Sequence, residues 1–356
     1  MKTLIFIADE PGGAQAIAPI AAWFLNQKEL NYEVLVYAQN SGLERLKDIG
    51  LKPIPLDFSQ INLEAFIINQ PHALWITGTS IGSNLERDIW FYTHKHKLMS
   101  CCILDQWMNL APRFKNLNWN NLDAQSEWIQ LPDYIICPDD DSKQELIDAG
   151  IDSSKLYSLG QPWLDYCIQN PLQTSPDHNS TTKILFYSEP ITQDYQNENF
   201  WGFSELSTLK CLGEVLEKVH IHSNFEFWIK PHPRENQHQL QLFLENQNWK
   251  FPWKIVQGYN SQYWTSHAHL ICGMSSMALL EALCYGKPTI SILLNLKRKS
   301  PFVPDLRKWM NSIRTPNGLH FAILEYIKYK RFQSQFEIST QINSIQRVVS
   351  FIKDLT

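Results

Sequence analysis

Phe225-Glu226-Phe227-Trp228-Ile229-Lys230-Pro231-His232-Pro233 is the stretch whose reading decides the fold. Phe225 to Ile229 reads as a buried strand, and the prolines flanking His232 bar helix at Lys230 and His232 while Pro233 can open a following helix. His232 is therefore expected at a strand's carboxyl end, facing a helix amino end. Further along, His269-Leu270-Ile271-Cys272 reads as a second short strand, Gly273 permits a tight turn, and Ser275 and Ser276 open a helix through Met277 to Leu283. Unpaired amide N–H groups and two hydroxyls at that helix start form an anion site.

Working outward, strands at Lys183 to Tyr187, Trp253 to Val256 and Pro288 to Leu293 alternate with helical patterns near 204–220, 235–247, 260–266, 276–285 and 303–311. The first half repeats the rhythm. Leu4 to Ala8, Glu33 to Ala38, Ala73 to Thr77, Met99 to Leu104 and Tyr134 to Cys137 read as strands, with helices near 13–28, 41–49, 60–69, 82–97 and 142–149. Continuous apolar strands between helices imply parallel sheets covered on both faces, so the fold class is α/β with two tandem doubly wound, Rossmann-like domains. The expected organisation is a first domain over 1–168, a polar, proline-bearing linker over 169–182, a second domain over 183–317, and helices over 318–356 that pack back on the first. Ligands of paired sheets of this kind are expected in a cleft between their carboxyl ends.

Composition narrows the function classes. With 31 basic and 36 acidic side chains the formal charge is −5, so neither nucleic acid nor an anionic bilayer is a general partner. Any phosphate binding must be local. The seven cysteines show no metal spacing and suit a reduced, cytoplasmic chain. The amino-terminal run Leu4 to Ala8 is too short for a signal peptide or a membrane span, leaving at most peripheral membrane association.

Leu185-Phe186-Tyr187-Ser188-Glu189-Pro190, Lys230-Pro231-His232-Pro233-Arg234-Glu235, and Gly273-Met274-Ser275-Ser276 with Glu281 and Gly286-Lys287-Pro288 together resemble the GT-B superfamily of glycosyltransferases. Within it they are similar to the bacterial branch with a histidine-proline motif and a serine pair, which includes sialyltransferase-, polysialyltransferase- and capsule-type enzymes. The resemblance implies that His232, Ser275 and Ser276 contact the phosphate of a cytidine-linked sugar donor. Ser188, Glu189, Lys230, Pro233, Arg234 and Gly273 then line the same donor site, and Glu281 either accepts from the ribose or pairs with Lys287 or Arg298. The implied function is transfer of that sugar to a glycan or lipid-linked acceptor in cell-surface polysaccharide synthesis. The nucleotide sugar is a substrate, and no cofactor is required. Glycerol-phosphate transferases of teichoic acid and nucleotide-sugar 2-epimerases share these features and stand as alternatives, as does a non-catalytic nucleotide-sugar-binding module.

Transfer with inversion needs a base for the acceptor hydroxyl. Asp9 or Glu10, in Asp9-Glu10-Pro11-Gly12-Gly13 after the first strand, is the first candidate, with Gly12 and Gly13 letting the backbone approach a ligand before a helix begins at Ala14. The alternative reading makes Asp9 a helix cap. Asp105 is the second candidate, with Trp107 and Arg113 placed to stack on or grip an acceptor; the alternative is a local turn. Asp139-Asp140-Asp141 has the spacing of a metal motif, yet it precedes a helix, where acids complement the dipole, and no obligatory metal is expected.

Overall fold

Lys2–Ala8 forms β1, and its alternating side chains separate into two cores. Leu4 and Phe6 pack with Ala14, Ile17, Ala21 and Phe24 on one face, while Ile5 and Ile7 pack with Trp75, Ile89 and Trp90 on the other. A strand buried on both faces must lie inside a parallel sheet covered by helices on each side. The computed structural model describes all residues except 1, 28, 30, 116–130, 173–180, 196, 198–199, 222, 259 and 330–340.

The chain divides into two compact units, Met1–Gln169 with Ser339–Thr356, and Asn170–Ile338. The first alternates β1, α1 (Pro11–Asn26), β2 (Tyr32–Ala38), α2 (Asn40–Asp48), β3 (Ile54–Pro55), α3 (Leu63–Ile68), β4 (Ala73–Thr77), α4 (Leu85–Lys95), β5 (Ser100–Ile103), β6 (Tyr134–Cys137), α5 (Asp140–Asp148), β7 (Leu156–Ser158) and α6 (Pro162–Gln169). Its strands are all parallel, in the order β3-β2-β1-β4-β5-β6-β7. The order reverses between β1 and β4.

The second unit contains β8 (Thr182–Tyr187), α7 (Ile191–Tyr195), α8 (Glu205–His220), β9 (Phe225–Lys230), α9 (Gln237–Glu245), β10 (Trp253–Ile255), α10 (Ser261–His267), β11 (Leu270–Gly273), α11 (Met277–Cys284), β12 (Thr289–Ser291), α12 (Val303–Leu306) and α13 (Pro316–Tyr329). It too is wholly parallel, ordered β10-β9-β8-β11-β12, with its reversal between β8 and β11. Two doubly wound Rossmann-like units in tandem are the α/β architecture expected from the sequence.

Some details depart from expectation. The 318–356 tail is divided: α13 packs on α8 in the second unit, whereas α14 (Ser344–Leu355) packs on α1 and α6 in the first. Val348, Val349 and Ile352 of α14 are fully buried in the first core, which explains the attachment. Asp165 fixes α14 further, its carboxylate accepting from the amides of Asn343 and Ile345 at 3.0 Å each. Residues 173–180 of the expected linker lie outside the described residues.

Candidate functional site

In the second unit, three neighbouring strands deliver the candidate residues to one sheet edge. Lys230 ends β9, Tyr187 ends β8 and Gly273 ends β11, with Tyr187 in register with both. The reversal between β8 and β11 makes this edge the place where parallel sheets open a crevice for ligands. Ser188 and Glu189, leaving the central strand, reach to opposite sides. The Ser188 hydroxyl donates to Glu235 Oε1 at 2.7 Å, tying β8 to the histidine-proline loop. Glu189 reaches the serine pair: its Oε1 accepts from the amides of Ser275 (2.6 Å) and Ser276 (2.9 Å), and its Oε2 from the Ser275 hydroxyl (2.8 Å). The structure thus joins His232's loop and the serine-bearing helix start through two consecutive residues.

The anion site at α11 is consequently filled by the chain's own carboxylate. Burial pushes the Glu189 pKa up against the opposing pull of its hydrogen bonds to Ser275 and Ser276. Ser276 itself caps α11, accepting from the Ala278 amide at 3.2 Å.

The histidine-proline loop differs from the expected strand-to-helix step. Pro233 does not open a helix, because α9 starts only at Gln237 with Asn236 as its cap. Residues between them form a turn closed by the Glu235 amide donating to the His232 carbonyl at 2.9 Å, and Glu235 Oε2 accepts from the His232 amide at 3.1 Å. His232 Nδ1 accepts from the Arg234 amide at 3.2 Å, which places the ring proton on Nε2. Burial, then the Arg234 charge, hold the imidazole pKa below its ordinary value, so it is a neutral donor. Arg234 is less available than the sequence implied, since its guanidinium forms a fork with Asp194 at 2.6 and 2.9 Å. Lys230 is half-buried, and burial alone lowers its pKa. Glu281 is buried on α11, while Lys287, which the sequence offered as its partner, instead donates to the carbonyls of Ser266 (2.8 Å) and Ala268 (3.1 Å).

In the first unit the reversal between β1 and β4 brings together the loops after β1, β4 and β5. Gly12 and Gly13 are not loop residues, because Pro11 occupies the first turn and α1 already runs through both. They still permit close approach. A Cβ on Gly78 would lie 2.2 Å from the Gly13 Cα, and one on Gly12 would lie 2.2 Å from Asp105 Oδ2. Asp9 is buried and does not cap the helix; its Oδ1 accepts from the Asn40 side-chain amide at 2.7 Å. Glu10 holds the N-cap position without a side-chain cap bond and accepts from the Gly82 amide at 3.0 Å.

Asp105 Oδ1 accepts from the Thr79 hydroxyl at 2.8 Å and from Arg113 Nη1 at 2.5 Å. Arg113 is therefore a buried framework cation and not an acceptor clamp. Trp107 is likewise buried, donating from Nε1 to Asp139 Oδ2 at 2.7 Å. Asp139 also caps α5 through the Ser142 amide at 2.7 Å, so the acidic triplet serves a helix start. A further carboxylate, Glu86, lies close to these loops. On the first turn of α4 it is 1% exposed, Oε1 accepts from the Ser80 hydroxyl at 2.7 Å, and Oε2 is buried without a partner. Burial pushes its pKa from 4.5 to about 7, with Asp9 and Glu10 adding to the rise. An isolated acid in an amphipathic helix carries no local sign of that environment.

No protein-family model matches the chain, and no curated protein matches its sequence. Solved structures do. The UDP-GlcNAc 2-epimerase from Neisseria meningitidis, solved bound to UDP-GlcNAc, is 15% identical with a TM-score of 0.64, covering 99% of this chain and 100% of its own. The UDP-GlcNAc 2-epimerase from Methanocaldococcus jannaschii is 16% identical with a TM-score of 0.67, at 99% and 100% coverage. The lipopolysaccharide outer core galactosyltransferase WaaB in its apo form is 14% identical with a TM-score of 0.54, at 100% coverage of both chains. The shared feature is the GT-B fold along the whole chain. The epimerases score above the galactosyltransferase, and the sialyltransferase-type branch suggested by the motifs is not among these structures. Among the described residues no helix is long and apolar enough to cross a membrane.

Proposed function

We propose that this chain is a nucleotide-sugar 2-epimerase that holds its nucleotide on the second unit. The support is the match of 99% of the chain to epimerases of UDP-GlcNAc, one of them holding that sugar nucleotide. It shifts the expected nucleotide from cytidine-linked to uridine-linked. In this reading the Nε2–H of neutral His232, the N–H and hydroxyl groups of Ser275 and Ser276, and Lys230 contact the phosphates, with Ser188, Gly273, Pro233 and Arg234 shaping the site and Glu281 meeting the ribose.

Inverting C2 requires a proton to leave one face of the ring and another to arrive on the opposite face, so a base and an acid must coexist near neutrality. The first unit offers carboxylates in contrasting environments. Asp105 is held beside Arg113, whereas burial keeps Glu86 near neutrality, with a pKa of about 7. Asp105, Asp9 and Glu10 are the proposed base candidates. No metal or redox cofactor enters this proposal.

Glycosyl transfer is the second reading, supported by the likeness of the whole chain to the galactosyltransferase. The deciding experiment incubates the chain in D2O with UDP-GlcNAc, and separately with CMP- and CDP-linked donors, without acceptor. Deuterium appearing at sugar C2, together with the 2-epimer, is the expected result. Nucleotide release only after a glycan acceptor is added would establish transfer instead. Thermal stabilisation with neither reaction would leave a binding module.

A further inference from the structure

We propose that Glu189 is a built-in competitor for the nucleotide's phosphate: its carboxylate holds the anion nest at the start of α11 and must swing aside before a phosphate can enter. This rests on the reading of the second unit as the nucleotide-binding unit. The geometry is specific. Both backbone amides and the hydroxyl that a phosphate would use, those of Ser275 and Ser276, already donate to Glu189, at 2.6, 2.8 and 2.9 Å. A carboxylate and a phosphate in the same nest would be like charges at contact distance, so the two exclude each other.

A separate observation places an anion's complement at the same sheet edge. Lys230, in register with Tyr187 two residues before Glu189, is half-buried, and no carboxylate among the described residues forms an ion pair with it. A cation desolvated without an acidic partner is a charge that an incoming phosphate would neutralise. Displacing Glu189 requires its side chain to turn out of the nest. The backbone beneath it is fixed, since the Ser188 hydroxyl is tied to Glu235 and Pro190 is buried, but Glu189 itself is partly exposed. The helix keeps its local cap, because Ser276 Oγ accepts from the Ala278 amide independently of Glu189.

The test is calorimetric titration of the full chain with UDP, CMP and inorganic phosphate, for the native protein, Glu189→Gln and Glu189→Ala, with a thermal melt of each to establish folding. Removing the competitor is expected to tighten nucleotide binding about tenfold in Glu189→Ala, with Glu189→Gln intermediate because a neutral amide still offers an acceptor oxygen. Inorganic phosphate is expected to stabilise Glu189→Ala and leave the native melt unmoved. Equal or weaker nucleotide binding in both variants overturns the proposal and makes Glu189 a ligand contact or a helix cap. Where Glu189→Ala melts prematurely, Glu189→Gln decides by the same criterion. Phosphate uptake by Glu189→Ala alone, with no nucleotide bound by any form, keeps the competitor and removes only the nucleotide reading; no anion bound by any form removes both.

Discussion

Asp105 and Arg113 form a largely buried ion pair, Oδ1 to Nη1 2.5 Å, with side-chain exposures of 11% and 3%. The pair also joins two loops, since Arg113 Nη1 donates to the Thr79 carbonyl (3.2 Å) and hydroxyl (2.9 Å) while Thr79 donates its hydroxyl to Asp105. One cation therefore sets the position of a proposed base. Asp105→Asn leaves that cation without its counter-charge, so we expect a stability loss of about 3 kcal/mol in denaturant unfolding. Turnover should fall at least about a hundredfold, because a base contributes on that order. A stable Asp105→Asn with unchanged turnover would remove Asp105 from the chemistry.

Gly78 and Gly13 are packed backbone to backbone. Gly78→Ala would place its Cβ 2.2 Å from the Gly13 Cα, an overlap that only movement of α1 away from β4 can relieve. A loss of about 3 kcal/mol or more is expected, with a matching fall in melting temperature. Gly13→Ala meets its nearest atoms only at 3.3 Å and should be milder. Equal melting temperatures for the two variants would contradict the packing described.

Glu86 predicts a pH dependence of stability with a definite sign. Its folded pKa, about 7, lies above the ordinary 4.5, so its contribution is fully present below the unfolded value and is lost as pH rises through about 7. Glu86→Gln keeps the shape and removes the ionisation. The variant should therefore gain on the native protein between pH 5 and pH 8, by up to about 3 kcal/mol. Parallel melting curves across that range would refute the assignment.

His232 shifts the other way. A folded pKa below the unfolded value of about 6.5 means that the unfolded chain binds the extra proton first, so stability falls as pH drops below that value. At neutral pH the ring acts as a neutral donor. His232→Gln retains a neutral N–H and should preserve more nucleotide affinity than His232→Ala, which we expect to lose about tenfold. Titration calorimetry at pH 7.5 separates them; equal losses in both would argue for an imidazolium.

Asp165 tests the tail. Asp165→Ala unties the start of α14, whose Val348, Val349 and Ile352 belong to the first core. Limited proteolysis should then cut before Ser344 more readily, with a stability loss of about 1 to 3 kcal/mol. Unaltered cleavage would show that apolar burial alone holds the helix.

Local pattern determined the central strands, because each is buried on both faces and its apolar run is unbroken: Ala73–Thr77 and Tyr134–Cys137 fall where the sequence places them. The same rule passes over β3 (Ile54–Pro55) and β7 (Leu156–Ser158), edge strands of two and three residues with too little length to show a period. The positions of His232 just past a strand end and of Ser275 and Ser276 just before a helix were legible from backbone chemistry, since proline and glycine restrict or free the chain wherever they occur. What fills the nest they suggested was not. Glu189 reaches Ser275 across 86 positions of sequence, and Glu86 owes its near-neutral pKa to burial and to Asp9 and Glu10. Periodicity is a property of neighbours in the chain, whereas desolvation and charge act between neighbours in space, so those two environments were decided only when the sheets assembled.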